Sequence, residues 1–465
     1  MKIVLALHHA GAFRHFEDVV RYWCGSGNQV WVLAGDMPKP IAVDRGLKAC
    51  QAELSGFQVE QIRLRQKWSK LVNVRELLNY ANYLRPEHPA PEQARRWKGK
   101  IVRPVRKLIK RKPIARLLAM PGFRRLLRQI EFLIPPDHAI KDWLRMKQPD
   151  VVVASPYIFS LSREVEYVKA ARSLGIPTVV VVLSWDNLTS KGTFHVLPDL
   201  TLVWNSALAE EAASLHDVPK EKLVVTGAPV FDFWYVMKPS LEYGAFAQKV
   251  GIDASKPFIL YLCSSNYIAA NEHLFVAEFA KALRDNPKTK EVGILVRPHP
   301  LNDAIWKGFM LDGVTIWPRS GEHVDLPDAK QVYYDTLFHS AAVVGVNTSA
   351  FLEAAIVGKP CITVLTQASK PKQSGLGHFQ HLLNGDFLEI AESYDQAAVI
   401  CADILAGKDN RREQRRKFVQ DFIRPRGIDK PVAPLMGKII ETFAMVGSVK
   451  QVTAIPEMPL GKSLP

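Results

Sequence analysis

Short runs of branched apolar residues, each followed by a polar turn and a stretch with helical spacing, recur along almost the whole chain. The clearest are Val151-Val152-Val153-Ala154, Thr178 to Leu183, Leu200 to Trp204, Phe258 to Cys263, Val292 to Val296, Ala342 to Val346 and Cys361 to Val364. A strand that is apolar at every position is buried on both faces, as in a parallel sheet covered by helices on either side. Parallel neighbours need long crossovers, and the helical stretches between the runs supply them. The N-terminus opens in the same way. Met1 to Leu7 is apolar, His8 to Arg14 reads as a polar loop, and His15, Phe16, Val19, Val20 and Trp23 repeat at helical spacing. Gly25-Ser26-Gly27-Asn28 stops that helix before a strand at Gln29 to Leu33. The first apolar run ends at His8-His9 without a small-residue cleavage site, so it reads as a buried strand and not as a secretion signal.

The alternation lapses between Met237 and Pro257 and then restarts. Two α/β halves are therefore expected: a Rossmann-like domain over 1–238 and a second over 239–425. A C-terminal helix over 426–448 is expected to pack back on the first domain. The tail 449–465, with three prolines, is expected to be loosely ordered. Hydrophobic residues make up 48% of the 465 positions, enough for more than one core. No run approaches the ~20 apolar residues that span a bilayer. Five cysteines, odd in number, far apart and in no CxxC pair, exclude a disulfide framework and a zinc ribbon and fit a cytoplasmic protein.

The segment with most chemical content is Val343-Val344-Gly345-Val346-Asn347-Thr348-Ser349-Ala350-Phe351-Leu352-Glu353, continuing to Gly358-Lys359-Pro360. A strand enters a polar turn that opens a helix, and unsatisfied N–H groups at a helix start beside the hydroxyls of Thr348 and Ser349 suit phosphate oxygens. Glu353, one turn in, can accept bonds from ribose hydroxyls. The same residues also fit a plain N-terminal cap, with Glu353 as its capping-box partner.

This segment resembles the C-terminal nucleotide-binding motif of GT-B enzymes, in which a turn with Ser, Thr or Gly precedes a helix bearing a ribose-binding Glu. It is similar in form to that of UDP-N-acetylglucosamine 2-epimerases, of Kdo-type and capsule-polysaccharide transferases, and of CDP-glycerol glycerophosphotransferases. Three further pieces carry the resemblance: Val224-Val225-Thr226-Gly227-Ala228-Pro229-Val230-Phe231-Asp232, Leu295-Val296-Arg297-Pro298-His299-Pro300, and Asp335 to Ala341. Together they span roughly residues 145–365. Asn347-Thr348-Ser349-Ala350 replaces the epimerase "SGG" turn, which lowers that reading. The resemblance implies a GT-B architecture, two Rossmann-like domains facing a central cleft. It implies a nucleotide-sugar or CDP-activated donor contacted by Thr348, Ser349 and Glu353, and a polysaccharide or lipid-linked acceptor.

Other candidates follow from position. Arg297 and His299, at a strand end, can place positive charge on a departing diphosphate, as a transferase without a metal or other cofactor requires. Pro298 and Pro300 equally fit a turn in which His299 bonds locally. Asn347, Ser264 and Ser265 lie where they can touch the diphosphate. Ser184 to Gly192 follows a Val-rich strand, and ligands gather beyond such strand ends. There Trp185, Asn187 and Lys191 can hold an acceptor and Asp186 can serve as its general base; an Asx-turn over a core Trp185 is the plain alternative. His8, His9 and His15 follow the first strand. His15 or His9 is the rival base, His9 and Gly11 can approach the acceptor, and no acid accompanies the three before Glu17 to suggest a metal site.

Charge singles out one more region. Arg95 to Arg128 holds fourteen Lys or Arg and no Asp or Glu, and without it the net +15 falls to +1. Ile101, Val102, Val105, Leu108, Ile109, Ile114, Leu117, Leu118, Phe123, Leu126 and Leu127 are interleaved with the cations, with breaks at Pro104, Pro113 and Pro121. The pattern predicts a basic helical insertion over 94–135 that lies on an anionic membrane surface, placing the protein peripherally at the inner face of the cell membrane. A merely solvated helical face is the alternative. No zinc spacing or RNA-recognition pattern accompanies the charge, so nucleic acid is not expected as a partner.

Overall fold

The computed structural model describes residues 1–35, 44–64, 69–86, 88–90, 93–159, 162–319, 327–366, 373 and 375–453. The chain forms two compact units. One comprises Met1–Val230 and the stretch that begins at Phe422; the other is Phe231–Asp421.

In the first unit the strands are β1 (Lys2–Leu7), β2 (Gln29–Ala34), β3 (Phe57–Glu60), β4 (Val151–Ser155), β5 (Thr178–Val181), β6 (Leu200–Val203) and β7 (Leu223–Val225). They form one sheet in the order β3-β2-β1-β4-β5-β6-β7, with every pair parallel. Leu5 lies between Val32 and Val153, and all three are buried. The second unit holds β8 (Phe258–Leu262), β9 (Gly293–Arg297), β10 (Val314–Ile316), β11 (Ala342–Gly345), β12 (Cys361–Val364) and β13 (Leu388–Ala391). Their order is β10-β9-β8-β11-β12-β13, again all parallel. Each sheet is wound outward in both directions from its first strand, the doubly wound Rossmann topology. Winding reverses between β1 and β4 in one sheet and between β8 and β11 in the other. All five cysteines are unpaired and buried.

Where His8 to Arg14 read as a loop, the chain makes a 3-10 helix at Ala10–His15. The helix Val432–Val446 belongs to the first unit's core, placing Val432, Met436, Ile440 and Phe443 beside Val19, Val20 and Trp23. Trp23 Nε1 donates to the carbonyl of Gly437 at 3.3 Å, and Asn28 Nδ2 to Glu441 at 2.7 Å. Val449–Thr453 is a further short helix with Val452 buried; residues 454–465 of the expected loose tail lie outside the described residues.

The basic stretch sits between β3 and β4 and is helical at Gln93–Lys100, Arg103–Leu108, Lys112–Ala119 and Pro121–Leu133. Pro104, Pro113 and Pro121 each fall in the first turn of a helix, where a missing N–H costs nothing. Trp97, Ile101, Ile109 and Leu118 build a small core with Tyr80 of the preceding helix Ser69–Asn82 and Tyr83 just after it. A buried ionic cluster fastens this region to the sheet. Arg75 pairs with Glu131 at 2.7 Å and with Glu166, and Lys169 reaches Glu131 at 3.1 Å. Removing one member of such a cluster strands its partners in a dry interior. Among the described residues no helix is long and apolar enough to cross a membrane.

Gly227, in the turn after β7, shows how tightly the C-terminal return is seated. Its φ is +98°, and a Cβ there would lie 2.8 Å from Val432 Cγ2 and 2.9 Å from the carbonyl oxygen of Ile423. Gly227→Ala is therefore expected to destabilise the first unit by about 2 kcal/mol. Chemical denaturation checks this, and an unchanged midpoint would contradict the packing described.

Candidate functional site

In a doubly wound sheet, ligands bind beyond the carboxyl ends of the strands, at the point where winding reverses. In the second unit that point joins the end of β8 to the end of β11. Gly345 is required there, because a Cβ would sit 2.9 Å from the carbonyl oxygen of Leu262. Just beyond, the N–H of Asn347 donates to Ser264 Oγ at 3.4 Å. Ser264 is buried, and its own N–H donates to Glu272 Oε2 at 2.7 Å. Ser265 follows, with its carbonyl taken by Ile268 and Ala269.

The turn Asn347-Thr348-Ser349 leads into the short helix Ala350–Ile356. Ser349 is exposed and makes no side-chain cap, and Thr348 Oγ1 accepts from the N–H of Ala350 at 3.3 Å. Glu353 forms no capping box. Its Oε2 accepts from the hydroxyl of Tyr333 at 2.6 Å, a charge-assisted bond of about 1.5–3 kcal/mol that orients the carboxylate. The amides of Thr348 and Ser349 make no hydrogen bond among the described residues.

Tyr333 was not singled out by the sequence, yet it organises this corner. It lies on the helix Pro327–His339, its ring is buried edge-on to Trp234, and the Arg297 guanidinium sits 4.5 Å from the ring centroid. Burial, reinforced by Glu353, holds the phenol well above its usual range, so it stays protonated and keeps donating. Arg297, the last residue of β9, is itself buried. His299 forms the local bond of the turn: its Nδ1 accepts from the N–H of Leu301 at 3.1 Å, which places the proton of the neutral ring on Nε2. By contrast Asp335 and His339, in the helix that carries the resemblance, are structural. Asp335 accepts from Ser240, and His339 Nε2 bonds the carbonyl of Leu241.

The first unit has its own reversal, between β1 and β4, where the N–H of His8 donates to the carbonyl of Ser155. His8 Nδ1 lies 3.2 Å from Glu164 Oε2, and Ser162 Oγ donates to that same oxygen at 2.6 Å. An ionised carboxylate only accepts, so Nδ1 carries the proton and Nε2 the lone pair. Glu164 is buried at the start of the helix Glu164–Ser173. The structure thus separates the three N-terminal histidines. Burial, with His8 and Arg14 near, lowers the His9 pKa. Burial, with Arg14 and His9, holds His15 well below its usual range, and its Nε2 accepts from Arg14 at 3.3 Å. His15 is therefore a neutral, weak acceptor of protons. Gly11 lies within the 3-10 helix between them.

The segment after β5 comes to the same neighbourhood through Phe159, whose ring is 5.1 Å from that of His8 and 5.4 Å from Lys191 Nζ. Lys191 pairs with Asp186 at 3.3 Å, and the Asp186 carboxylate also accepts from Ser190 Oγ at 3.1 Å. Trp185 and Asn187 are buried, and Asn187 Oδ1 accepts the N–H of Ser184 at 3.1 Å, a local bond three residues back along the chain and not an Asx-turn. Lys191 and Asp186 are only partly covered. Among the described residues no group of three His, Cys, Asp or Glu is placed to hold a metal ion.

Glu272, which supports Ser264, is fully buried, and burial pushes its carboxyl up to about 8 from 4.5. Between those values the folded protein keeps a proton that the unfolded chain releases, so this group's contribution to stability is present below pH 4.5 and lost as pH rises towards 8. The slope is at most about 1.4 kcal/mol per pH unit. Glu272→Gln, neutral throughout and still able to accept from Ser264, is expected to flatten stability over that range. A parallel pH profile for the variant and the parent would refute the assignment.

No family model matches the sequence, and no curated protein sequence matches it. Solved structures do resemble the fold. The UDP-GlcNAc 2-epimerase of Neisseria meningitidis, bound to UDP-GlcNAc, is 12% identical with a TM-score of 0.53, over 96% of this chain and 100% of that one. The UDP-GlcNAc 2-epimerase of Methanocaldococcus jannaschii is 12% identical with a TM-score of 0.52, over 95% and 100%. A glycosyltransferase of Rickettsia africae is 11% identical with a TM-score of 0.52, over 96% and 99%. The chain therefore has the two-domain α/β fold, of GT-B type, that nucleotide-sugar epimerases and glycosyltransferases share.

Proposed function

We propose that the protein is a nucleotide-sugar transferase that moves a sugar, or glycerol phosphate, from an activated donor to a hydroxyl of a polysaccharide or lipid-linked acceptor. The donor's diphosphate is read by the amides and hydroxyls of Thr348 and Ser349, by Asn347, Ser264 and Ser265, and by the charge of Arg297. Glu353, oriented by Tyr333, takes the ribose. His299 presents Nε2–H to the leaving phosphate. Developing negative charge is met by fixed donors, so the reaction in this reading needs no metal and EDTA leaves the rate unchanged.

The observation that favours transfer over epimerisation is the His8–Glu164 pair. A carboxylate-backed imidazole with its lone pair on Nε2 is suited to taking a proton from an acceptor hydroxyl as it attacks. Asp186, already committed to Lys191 and Ser190, then serves with Lys191, His9 and the backbone at Gly11 to position the acceptor, while His15 packs beneath. The fold shared with two UDP-GlcNAc 2-epimerases supports the second reading, in which the same donor site acts without an acceptor.

The test is product analysis with UDP-, CDP- and GDP-linked donors, starting with UDP-N-acetylglucosamine, with and without oligosaccharide or polyprenyl-linked acceptors. Release of nucleotide that depends on an acceptor is expected, and His8→Ala should lower kcat by about 10²–10⁴-fold while donor affinity holds. Conversion of UDP-N-acetylglucosamine to its 2-epimer with no acceptor present would establish the epimerase instead.

A further inference from the structure

The helix Pro121–Leu133 is amphipathic the wrong way round for a protein surface. Its inner stripe is Arg124, Leu127 and Glu131, all buried. Arg124 and Glu131 are 2% and 0% exposed, and Arg128 on the same side pairs with Asp217 at 2.7 Å. Its outer stripe, spaced i, i+4, i+7, is Leu126, Ile130 and Leu133, with Leu133 77% exposed. Phe132 is also exposed, as are Met120 just before the helix and Leu117 in the helix before that. A surface helix ordinarily hides its apolar stripe and shows its charges. Here Arg124, Arg128 and Glu131 are drawn inside, and six large apolar side chains are exposed.

The surroundings of that stripe say what covers it. Lys107, Lys110, Arg111, Lys112, Arg116 and Arg125 are exposed on the same short insertion, and none is in an ion pair among the described residues. No acidic residue occurs from Arg95 to Arg128 to offset them. A second copy of the chain would bring the same cations face to face. A nucleic acid would answer the charge and leave the apolar stripe wet. A bilayer with anionic headgroups answers both at once, with acyl chains for the apolar side chains and phosphates for the cations. At 13 residues the helix is roughly 20 Å long, so it can lie in the interface and cannot cross it.

We propose that the outer face of Pro121–Leu133, with Leu117 and Met120, is a docking surface for an anionic lipid bilayer, gripped by the cations between Lys107 and Arg125. The inference does not depend on the reaction the protein catalyses. It is narrower than the sequence pattern, because Ile101, Ile109, Leu118, Leu127 and Arg124 point inward and take no part.

The full-length protein is floated with vesicles of phosphatidylcholine alone and of phosphatidylcholine with phosphatidylglycerol. Binding to the second and not the first is expected, weakening as salt is raised. Leu126→Ser/Ile130→Ser/Leu133→Ser removes only exposed groups and should keep the melting temperature while lowering affinity about tenfold or more. Lys110→Glu/Arg111→Glu, made as a separate variant, should weaken binding with no change to the apolar stripe. The proposal fails if phosphatidylglycerol vesicles are not bound, or if both variants bind them as the parent does. It also fails if the triple variant abolishes self-association in solution, or if the face binds RNA independently of the apolar residues.

Discussion

Two strands that touch at the reversal of a doubly wound sheet send their following loops to opposite sides, and the crevice this leaves is the feature on which the candidate sites depend. In the second unit the contact is close enough to demand Gly345, whose missing side chain admits the Leu262 carbonyl. Because β8 and β11 meet so tightly, Ser264 and Asn347 emerge side by side. The polar groups around them are fixed from below: Glu272 holds the Ser264 amide, while Thr363 and Gln373 hold the carbonyl of Val346. The turn at Thr348 and Ser349 is thus a preorganised set of donors on a rigid base, which is what binding a diphosphate asks of it.

The two units use the same device with different chemistry. Around Arg297, Tyr333 and Glu353 a cation, a phenol whose pKa burial raises, and a carboxylate follow one another. Around His8, Glu164 and Ser162 a hydroxyl and an imidazole share one carboxylate oxygen. The first arrangement favours holding an anion and a sugar; the second favours moving a proton. The buried Arg75 joins the latter to the helical insertion, since it bonds Glu131 and the carbonyl of Ser162 together. The surface proposed to meet the bilayer and the proposed base therefore rest on one ionic cluster.

The interior strands were legible because burial on both faces leaves an unbroken apolar run, as in Val151 to Ala154 or Ala342 to Val346. The edge strands β3 and β13 were not. Phe57–Glu60 and Leu388–Ala391 are four residues each, interrupted by polar residues, and neighbour only one strand. The turn at 347–349 with Glu353 could be read, but its support could not. Tyr333 lies on another helix, twenty residues away from Glu353. Glu164 is 156 positions from His8 and looks, in sequence, like any acid at a helix start. Among three neighbouring histidines the sequence pointed to His15 or His9 as a base, and packing shows that His8 is the one bonded to a carboxylate. Trp185 and Asn187 read as ligand groups and prove to be buried, because a loop closed by its own side-chain bonds and a binding loop draw on the same residue types. The amphipathic insertion was visible as a pattern, but only the fold shows that in its last helix Arg124 and Glu131 face inward while Leu126, Ile130 and Leu133 face out.

The central claim is that a nucleoside diphosphate binds at the end of β11 with its ribose on Glu353. Calorimetric titration of UDP, CDP and GDP into the parent protein and Glu353→Ala tests it directly. The account predicts that at least one nucleotide binds the parent and that the variant, with its melting temperature in the absence of nucleotide preserved, binds it about tenfold more weakly. Equal affinity in the two proteins, or no binding of any nucleotide to the parent, would contradict it.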